Sequence, residues 1–435
     1  MLLDLYPLMG GVLAALSCGL LGNFLVLRRQ SLMGDAISHA VLPGLVAAFL
    51  IMQTRSAAVM FVGAAISALA TVLLTEIIKR LGRVEPGAAM GVVFSVLFAL
   101  GVFLLESGGA EGVDLDADCV LHGNLVSLFW EGTVPDQWDM LLGAGTIDSM
   151  PRQVQALLLT SLAVTAFVLM FFKELRISSF DPGISRVQGI NAGLMNMALM
   201  TFVAIAAVAS FEAVGSILVI AMLICPAATA RLLTDRLGTQ VLVSVIIALA
   251  ASVSGYTLAS LLNVDAAGMM AVSGGGLLVV AMIFSPSHGV LARGRNQRRI
   301  AREVALEDLL GALWRAEELG QHTRIESALS LLGDTKRTRR ALDEAGRLGL
   351  TQAGPGGTIG LSSGGRQRAA SIIRKHRLWE GYLVDQAGLS PDHVHETAEK
   401  LEHLDLADQL GNDNARRVDP QGKPIPGPSG PTLDT

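Results

Sequence analysis

GDAISHAVLPG, residues 34–44, sets an aspartate and a histidine into a chain that is otherwise becoming continuously apolar. Asp35 and His39 are four residues apart, and Pro43 follows four residues after the histidine. On a helix, positions i and i+4 share a face, so a carboxylate and an imidazole can point at one ion. Pro43 has no N–H, which leaves the His39 carbonyl without its helical donor. At membrane depth a freed carbonyl is tolerated only beside a polar cavity or another partner. Ionisable residues inside a span cost roughly 2.5–3.5 kcal/mol each, so they are functional candidates by default. The plainer reading is that Asp35 caps the span and His39 packs against a neighbouring helix. The spacing favours an ion contact.

Outward from this stretch, composition sets the class. Of 435 residues, 51 % are hydrophobic and 16 % charged, the balance of an integral membrane protein rather than a soluble enzyme. Apolar runs recur from about Leu8 to Phe284, whereas the chain reads as soluble from Arg293 onward. Met-Leu-Leu-Asp at the start lacks the basic region and cleavage site of a secretory signal, so a first span is expected there. The three cysteines are widely separated and suggest neither a disulfide framework nor a zinc cluster. Nine segments predict spans: Leu8–Leu27, Ala36–Gln53, Ala57–Ile78, Gly87–Leu105, Val154–Phe172, Leu194–Ala209, Ala213–Leu232, Gln240–Leu262 and Gly268–Ser285. The sixth is short, and fusion with its neighbour would make eight.

Loop charge orients the spans. Alternate connections carry Arg28 and Arg29; Lys79, Arg80 and Arg83; Lys173, Arg176 and Arg186; Arg231 and Arg236; and then the arginine-rich run from Arg293. The intervening loops carry almost no basic residues, so the basic side is expected to be cytoplasmic, the N-terminus outside and the soluble part inside. Two connections stand out. Glu106–Arg152 is long and acidic, with Asp114, Asp116 and Asp118 at alternate positions. It suits an external vestibule that concentrates cations, or simply a solvated loop. Lys173–Asn191 reads as a short helix capped by Asp181 with Pro182 at its first position. It suits docking onto a partner, or lying at the interface as an amphipathic helix.

SLMGDAISHAVLPG resembles the signature of the permease subunits of ABC transporters for manganese, zinc and iron. The resemblance continues in VDLDADCVLHGNL, ELRISSFDPGISRVQGI and FEAVGSILVIAMLICPAATARLLT, and covers nearly all of residues 1–285. It implies that Asp35 and His39 are transmembrane metal contacts. It also implies that Phe180, Asp181, Pro182, Gly183, Arg186 and Gly189 lie in the segment coupling to an ATPase. The partners it implies are a cytoplasmic ATPase subunit, an extracytoplasmic metal-binding solute protein, and a second permease subunit that is a copy or a paralogue. The Asp114/Asp118 loop most resembles the manganese branch. Pro226 frees the Met222 carbonyl by the physics that acts at Pro43. No lysine sits in a GxxxxGK[ST] phosphate loop, so ATP hydrolysis is expected on a separate chain and this one is not expected to be an enzyme. LSSGGRQRAAS, residues 361–371, mimics the ABC ATPase signature, but without a phosphate loop it has nothing to act on.

The chain is therefore read as an all-α polytopic membrane domain of eight or nine spans over 1–290 and a basic linker over 291–302. Winged helix-turn-helix residues 303–370, a helical metal-binding and dimerisation-like region at 371–410 and a Pro/Gly-rich tail at 411–435 follow. In the winged part, Lys336, Arg337, Arg339 and Arg340 suit phosphate contacts of a helix in a major groove, or equally a solvated basic face near anionic lipid. Beyond it, His376 and Glu380 are spaced i, i+4, as are His395 and Glu399, and Glu402 and His403 continue the stripe. Mixed imidazole and carboxylate donors suit Mn²⁺, Fe²⁺ or Zn²⁺. From about Leu306 to Gly427 the sequence resembles the iron- and manganese-responsive repressors of the diphtheria toxin repressor family. That resemblance implies His376, Glu399, Glu402 and His403 as ligands, with Asp308 on the first helix, and His395 and Glu380 at a second site. Gly311 departs from the pattern, which has a glutamate there.

The expected function is a membrane permease subunit importing a divalent transition metal, manganese before zinc or iron, at the plasma membrane, which is the inner membrane in a Gram-negative cell. No permanently bound cofactor is expected; the metal is cargo and a candidate regulator through the tail. Two rivals stand beside it. The tail could act as a metal-dependent DNA-binding repressor, or the membrane part as a proton-driven carrier, which the lack of paired acids in the spans disfavours.

Overall fold

The computed structural model describes residues 5–54, 56–107, 125, 150–320, 324–325, 332–333, 335–390, 393–403 and 418–427. Asp114, Asp116 and Asp118 lie outside the described residues. The chain divides into two compact units, Met1–Ala292 and Arg293–Thr435.

Eight helices among the described residues of the first unit are long and apolar enough to cross a bilayer. They are α1 (Leu5–Leu27), α2 (Met33–Met52), α3 (Ala57–Gly82), α4 (Pro86–Ser107), α5 (Arg152–Met170), α8 (Ala192–Leu233), α9 (Leu237–Leu262) and α10 (Ala266–Phe284). Two short helices, α6 (Phe172–Phe180) and α7 (Pro182–Val187), precede α8. Each long helix satisfies its own peptide groups, which is what a bilayer demands. Small residues then let the helices meet closely. Gly44 on α2 and Gly63 on α3 face each other so tightly that a Cβ on either would collide with the other's carbonyl.

The sixth and seventh expected spans form one continuous element, α8, of 42 residues. Straight, it would be about 63 Å long, twice a bilayer core. It is not straight. Gly215 has φ 76° and ψ 164°, a conformation essentially closed to residues with a Cβ. Near its start, Asn196 accepts a 2.8 Å hydrogen bond from Arg28, at the end of α1. Glu212 accepts one of 3.1 Å from Gln153, at the start of α5. The Leu232 carbonyl then accepts from Ser285, at the end of α10. Asn196 and Leu232 thus sit at the basic-loop end and Glu212 at the opposite end. The element is a hairpin folded at Gly215, and each leg is about a bilayer long.

In the second unit, α11 (Val290–Glu318) is followed by α12 (Lys336–Arg347), strands β1 (Thr351–Ala353) and β2 (Ile359–Leu361), α13 (Ser363–Asp385) and α14 (His395–Leu401). The strands form an antiparallel wing pairing Thr351 with Leu361. Leu306, Leu309, Leu310 and Leu313 make the apolar stripe of α11 and pack with Ala341, Ala345, Leu361, Ala369 and Ile373. Residues 291–302, read from composition as a linker, are helical and continuous with that stripe. The run has no proline, and the Arg, Leu, Gln and Ala that fill most of it are good helix formers, so charge alone does not break it. Ser362, in the stretch that mimics an ATPase signature, caps α13 by accepting from the Gly365 N–H at 3.1 Å.

Gly44→Val should lower the thermal unfolding midpoint in detergent by the equivalent of about 1–3 kcal/mol, the usual range for overpacking. Gly91→Ala, which faces open space on α4, should leave the midpoint unchanged or raise it. Equal midpoints for Gly44→Val and the wild type would show that α2 and α3 do not meet as described.

Candidate metal centres

Asp35 and His39 occupy the first two turns of α2, with His39 Nε2 3.5 Å from Asp35 Oδ1. Both side chains are about two-fifths exposed, at 41 % and 43 %. Phe94 and Phe98 of α4 flank the imidazole, with ring centroids 5.8 and 5.7 Å away. Pro43 stays within α2 and abuts Gly101 of α4. Two donors on an open face make a half-site; among the described residues no third His, Cys, Asp or Glu joins them.

At the basic-loop end of the unit, Asp181 Oδ1 accepts from the N–H groups of Gly183, at 2.7 Å, and Ile184, at 3.0 Å, and so caps α7. Gly189, with φ 75°, lies just past that helix. Phe180, Ile184 and Val187 are exposed at 62, 52 and 89 %, leaving an apolar face uncovered by the described residues. Arg186 lines a cavity beside them together with Arg28 and Glu76. Arg28 was legible in the sequence only as a topology marker. Its guanidinium donates to Ser178 at 2.8 Å, Ser179 at 3.0 Å and Asn196 at 2.8 Å, which ties α6 to α1 and α8.

The second unit gathers the imidazoles and carboxylates into two trios. In the first, His376 Nε2, Glu380 Oε1 and His395 Nδ1 are separated by 3.1, 3.0 and 2.9 Å. Three donors at 2.0–2.1 Å from one octahedral ion would be about 3.0 Å apart, so this trio fits a divalent metal. The same spacing lets a proton join the donors when no metal is bound. The second trio is Asp308, Glu402 and His403. Its His403 Nε2 lies 3.2 Å from Asp308 Oδ1 and 4.0 Å from Glu402 Oε1. Glu402 joins the two trios, because its other oxygen is 2.5 Å from His376 Nδ1. Glu399 is exposed and belongs to neither trio. α14 ends at Leu401, and Glu402 and His403 follow in a turn.

Three further residues shape this centre without having been singled out from sequence. Glu307 accepts from His403 Nδ1 at 2.8 Å and leaves Nε2 facing Asp308 and Glu402, an orienting role typical of residues behind metal ligands. Gly311 is buried yet has open space beside it, and Arg315, one turn on, places Nη2 3.7 Å from Glu402 Oε2. A cation of the protein therefore neighbours the bridging carboxylate. Arg377, 4 % exposed, binds both oxygens of Glu318 at 3.0 and 2.8 Å and lies 3.5 Å from Asp419, which pins residues 418–427 to α11 and α13.

Charge follows from these contacts. Hydrogen bonds to Asp308 and Glu307 raise His403 from its ordinary 6.5 to about 10, against the effect of burial. Burial opposes protonation of His376, yet hydrogen bonds with Glu380 and Glu402 outweigh it and raise its pKa. Glu380 is also penalised by burial, but His376 and His395 hold its pKa below the ordinary value.

Residues 5–285 match the ABC 3 transport family, close to two-thirds of the chain. The chain belongs to that family. Residues 362–427 match the iron dependent repressor, metal binding and dimerisation domain. Among ABC 3 relatives, manganese transport system membrane protein MntD of Bacillus subtilis is 38 % identical over 68 % of this chain and 96 % of its own length. Manganese transport system membrane protein MntC of the same organism is 29 % identical over 92 % of this chain and 91 % of itself, an alignment that runs well into the second unit. PsaBC from Streptococcus pneumoniae, solved in complex with Fab, aligns at a TM-score of 0.52 with 28 % identity, over 65 % of this chain and 92 % of that one. The ABC 3 match spans the membrane unit and the repressor match spans the His376–Glu402 pair.

A divalent ion taking His403 Nε2 must displace the proton that Asp308 holds there. Calorimetry of the full chain with Mn²⁺ in buffers of different ionisation enthalpy should show about one proton released per ion at this trio near neutrality, with affinity falling about tenfold per pH unit on acidification. The sign for stability is opposite. Because the folded pKa is raised from 6.5 to about 10, the trio's stabilisation is complete below 6.5 and is lost as pH rises through about 10. Buffer-independent binding heats would refute the protonated His403.

Proposed function

We propose that the chain is the membrane permease subunit of an ATP-driven importer of a divalent transition metal, with manganese as the first cargo and zinc or iron next. The observation that carries this is the Asp35–His39 pair, one carboxylate and one imidazole on the open face of α2, in a chain of the ABC 3 family. Oxygen and nitrogen donors without a thiolate suit manganese, iron and zinc, and the names of the manganese-transport relatives favour manganese. A half-site takes its remaining ligands from water and from a second permease subunit, a copy or a paralogue. The exposed apolar residues of α6 and α7, anchored through Arg28, form the docking face for a separate ATPase subunit. The acidic 106–152 connection receives the ion from an external solute-binding protein.

The second unit, for which the loop charge supports a cytoplasmic side, senses internal metal and restrains transport when loaded. His376, Glu380 and His395 would hold a regulatory ion, with Asp308, Glu402 and His403 as the second trio. The ion would supply positive charge among these donors. The protein's part is to hold them at contact distance, to orient His403 through Glu307, and to give up the His403 proton. A DNA-binding role for α12 is the second reading, supported by exposed Lys336, Arg337, Arg339 and Arg340.

His39→Ala, in vesicles carrying the complete transporter, should reduce uptake of radioactive manganese at least about tenfold, the scale of losing one ligand. Uptake equal to wild type would remove Asp35–His39 from the path. Deleting residues 293–435 should leave uptake at low internal metal intact and relieve its inhibition at high internal metal. An unchanged response to internal metal would remove the sensing role.

A further inference from the structure

Between α11 and α12 lies a groove of about 420 Å³ into which four arginines converge, Arg298 and Arg302 from one helix and Arg337 and Arg340 from the other. Their spacings, i, i+4 and i, i+3, place each pair on one face of its helix. Glu344 is the one acid in the lining, and small residues such as Ala301, Ala305 and Ala341 leave the centre open. Among the described residues none of the four arginines makes a hydrogen bond or an ion pair. Other arginines of this unit are engaged: Arg315 with Glu402, Arg366 with Glu317, Arg368 with Glu303 and Glu307, and Arg377 with Glu318. Four unpaired guanidinium groups around one opening repel each other, and a bound anion relieves that repulsion. Guanidinium forks suit phosphate oxygens.

Chain connectivity identifies the source of the phosphate. The last apolar helix ends at Phe284 and α11 begins at Val290, so Arg298 can lie no farther than about 30 Å from the point where the chain leaves the bilayer. Leu291, 47 % exposed, stands seven residues before Arg298 on the same helical stripe, which continues through Arg295 to Arg302. An apolar side chain at the membrane-proximal end, followed by arginines one and two turns on, matches acyl chain followed by headgroup. A DNA duplex has no use for the leucine and would have to be brought to the membrane surface.

We propose that the groove between α11 and α12 binds the phosphate headgroup of an anionic phospholipid in the leaflet where α10 ends. Bound lipid fixes α12 against α11 and occupies Arg337 and Arg340, two of the side chains that the DNA-binding reading would need free.

The test is amide hydrogen exchange of the full chain in nanodiscs of phosphatidylcholine, alone or with phosphatidylglycerol added. Phosphatidylglycerol should slow exchange in residues 336–347. The double substitution Arg298→Gln/Arg302→Gln should raise the amount of lipid needed for half-protection about tenfold, while Arg293→Gln/Arg299→Gln, outside the groove lining, should shift it less than about threefold. Unchanged exchange in α13 would show that the variants remain folded. Equal protection in neutral and anionic discs overturns the proposal, as does an equal shift by both double variants. In neutral discs, inorganic phosphate or a DNA duplex serves as a separate arm. If either protects α12 where phosphatidylglycerol does not, the groove is a free-anion or nucleic-acid site and the lipid assignment fails.

Discussion

A bilayer offers no water to an unpaired peptide group, and the first unit is organised by that constraint. Backbone pairing is closed within each helix, so helices join through shape and through the few polar side chains that can find partners. Gly44 against Gly63 exemplifies shape, bringing two backbones to a distance at which no side chain fits. Arg28 exemplifies polarity, since it spends its donors on Ser178, Ser179 and Asn196 at the edge of the apolar region. The ionisable pair Asp35–His39 differs from both. It remains substantially exposed, and neither packing nor pairing within the chain uses up its ligand capacity.

The second unit obeys a different rule, because there the costly groups are buried charges. Glu380 and Glu402 lie almost out of solvent, and each finds an imidazole within hydrogen-bond distance. A buried carboxylate without a partner would be strongly destabilising. Protons shared with His376 and His403 therefore stand in for the positive charge that a metal would bring. Arg315 adds a fixed charge beside Glu402, where Gly311 leaves room. The donors consequently stand at contact distance through shared protons, and an ion entering there would exchange protons rather than assemble ligands.

Much of this was readable in the chain because it depends on local periodicity. Apolar runs mark spans wherever a helix must face lipid, and alternating basic loops follow from the cost of translocating arginine. The i, i+4 spacing of Asp35 with His39 and of His376 with Glu380 survives into contacts because both pairs lie within one helix. What escaped reading is tertiary. Glu307 meets His403 across 96 positions, and His376 meets Glu402 across 26, distances over which spacing carries no information. Glu399 lies within α14, four residues after His395, yet it is exposed and stands outside both trios, because spacing sets a shared face but not which way that face turns. The arginine-rich run after the last span looked like a linker because charge suggests solvation, yet its residues are good helix formers.

The fold-back at Gly215 has a consequence for parity. With eight straight crossings, the two ends of the membrane unit would face the same compartment. One glycine that turns α8 back on itself makes the number of crossings among the described helices odd, and an odd number sets the two ends in opposite compartments. The sidedness of everything attached after Phe284 therefore hangs on a single backbone conformation. A residue with a Cβ at position 215 threatens orientation as well as stability, a defect that would surface as misrouted chains rather than as a weakened fold.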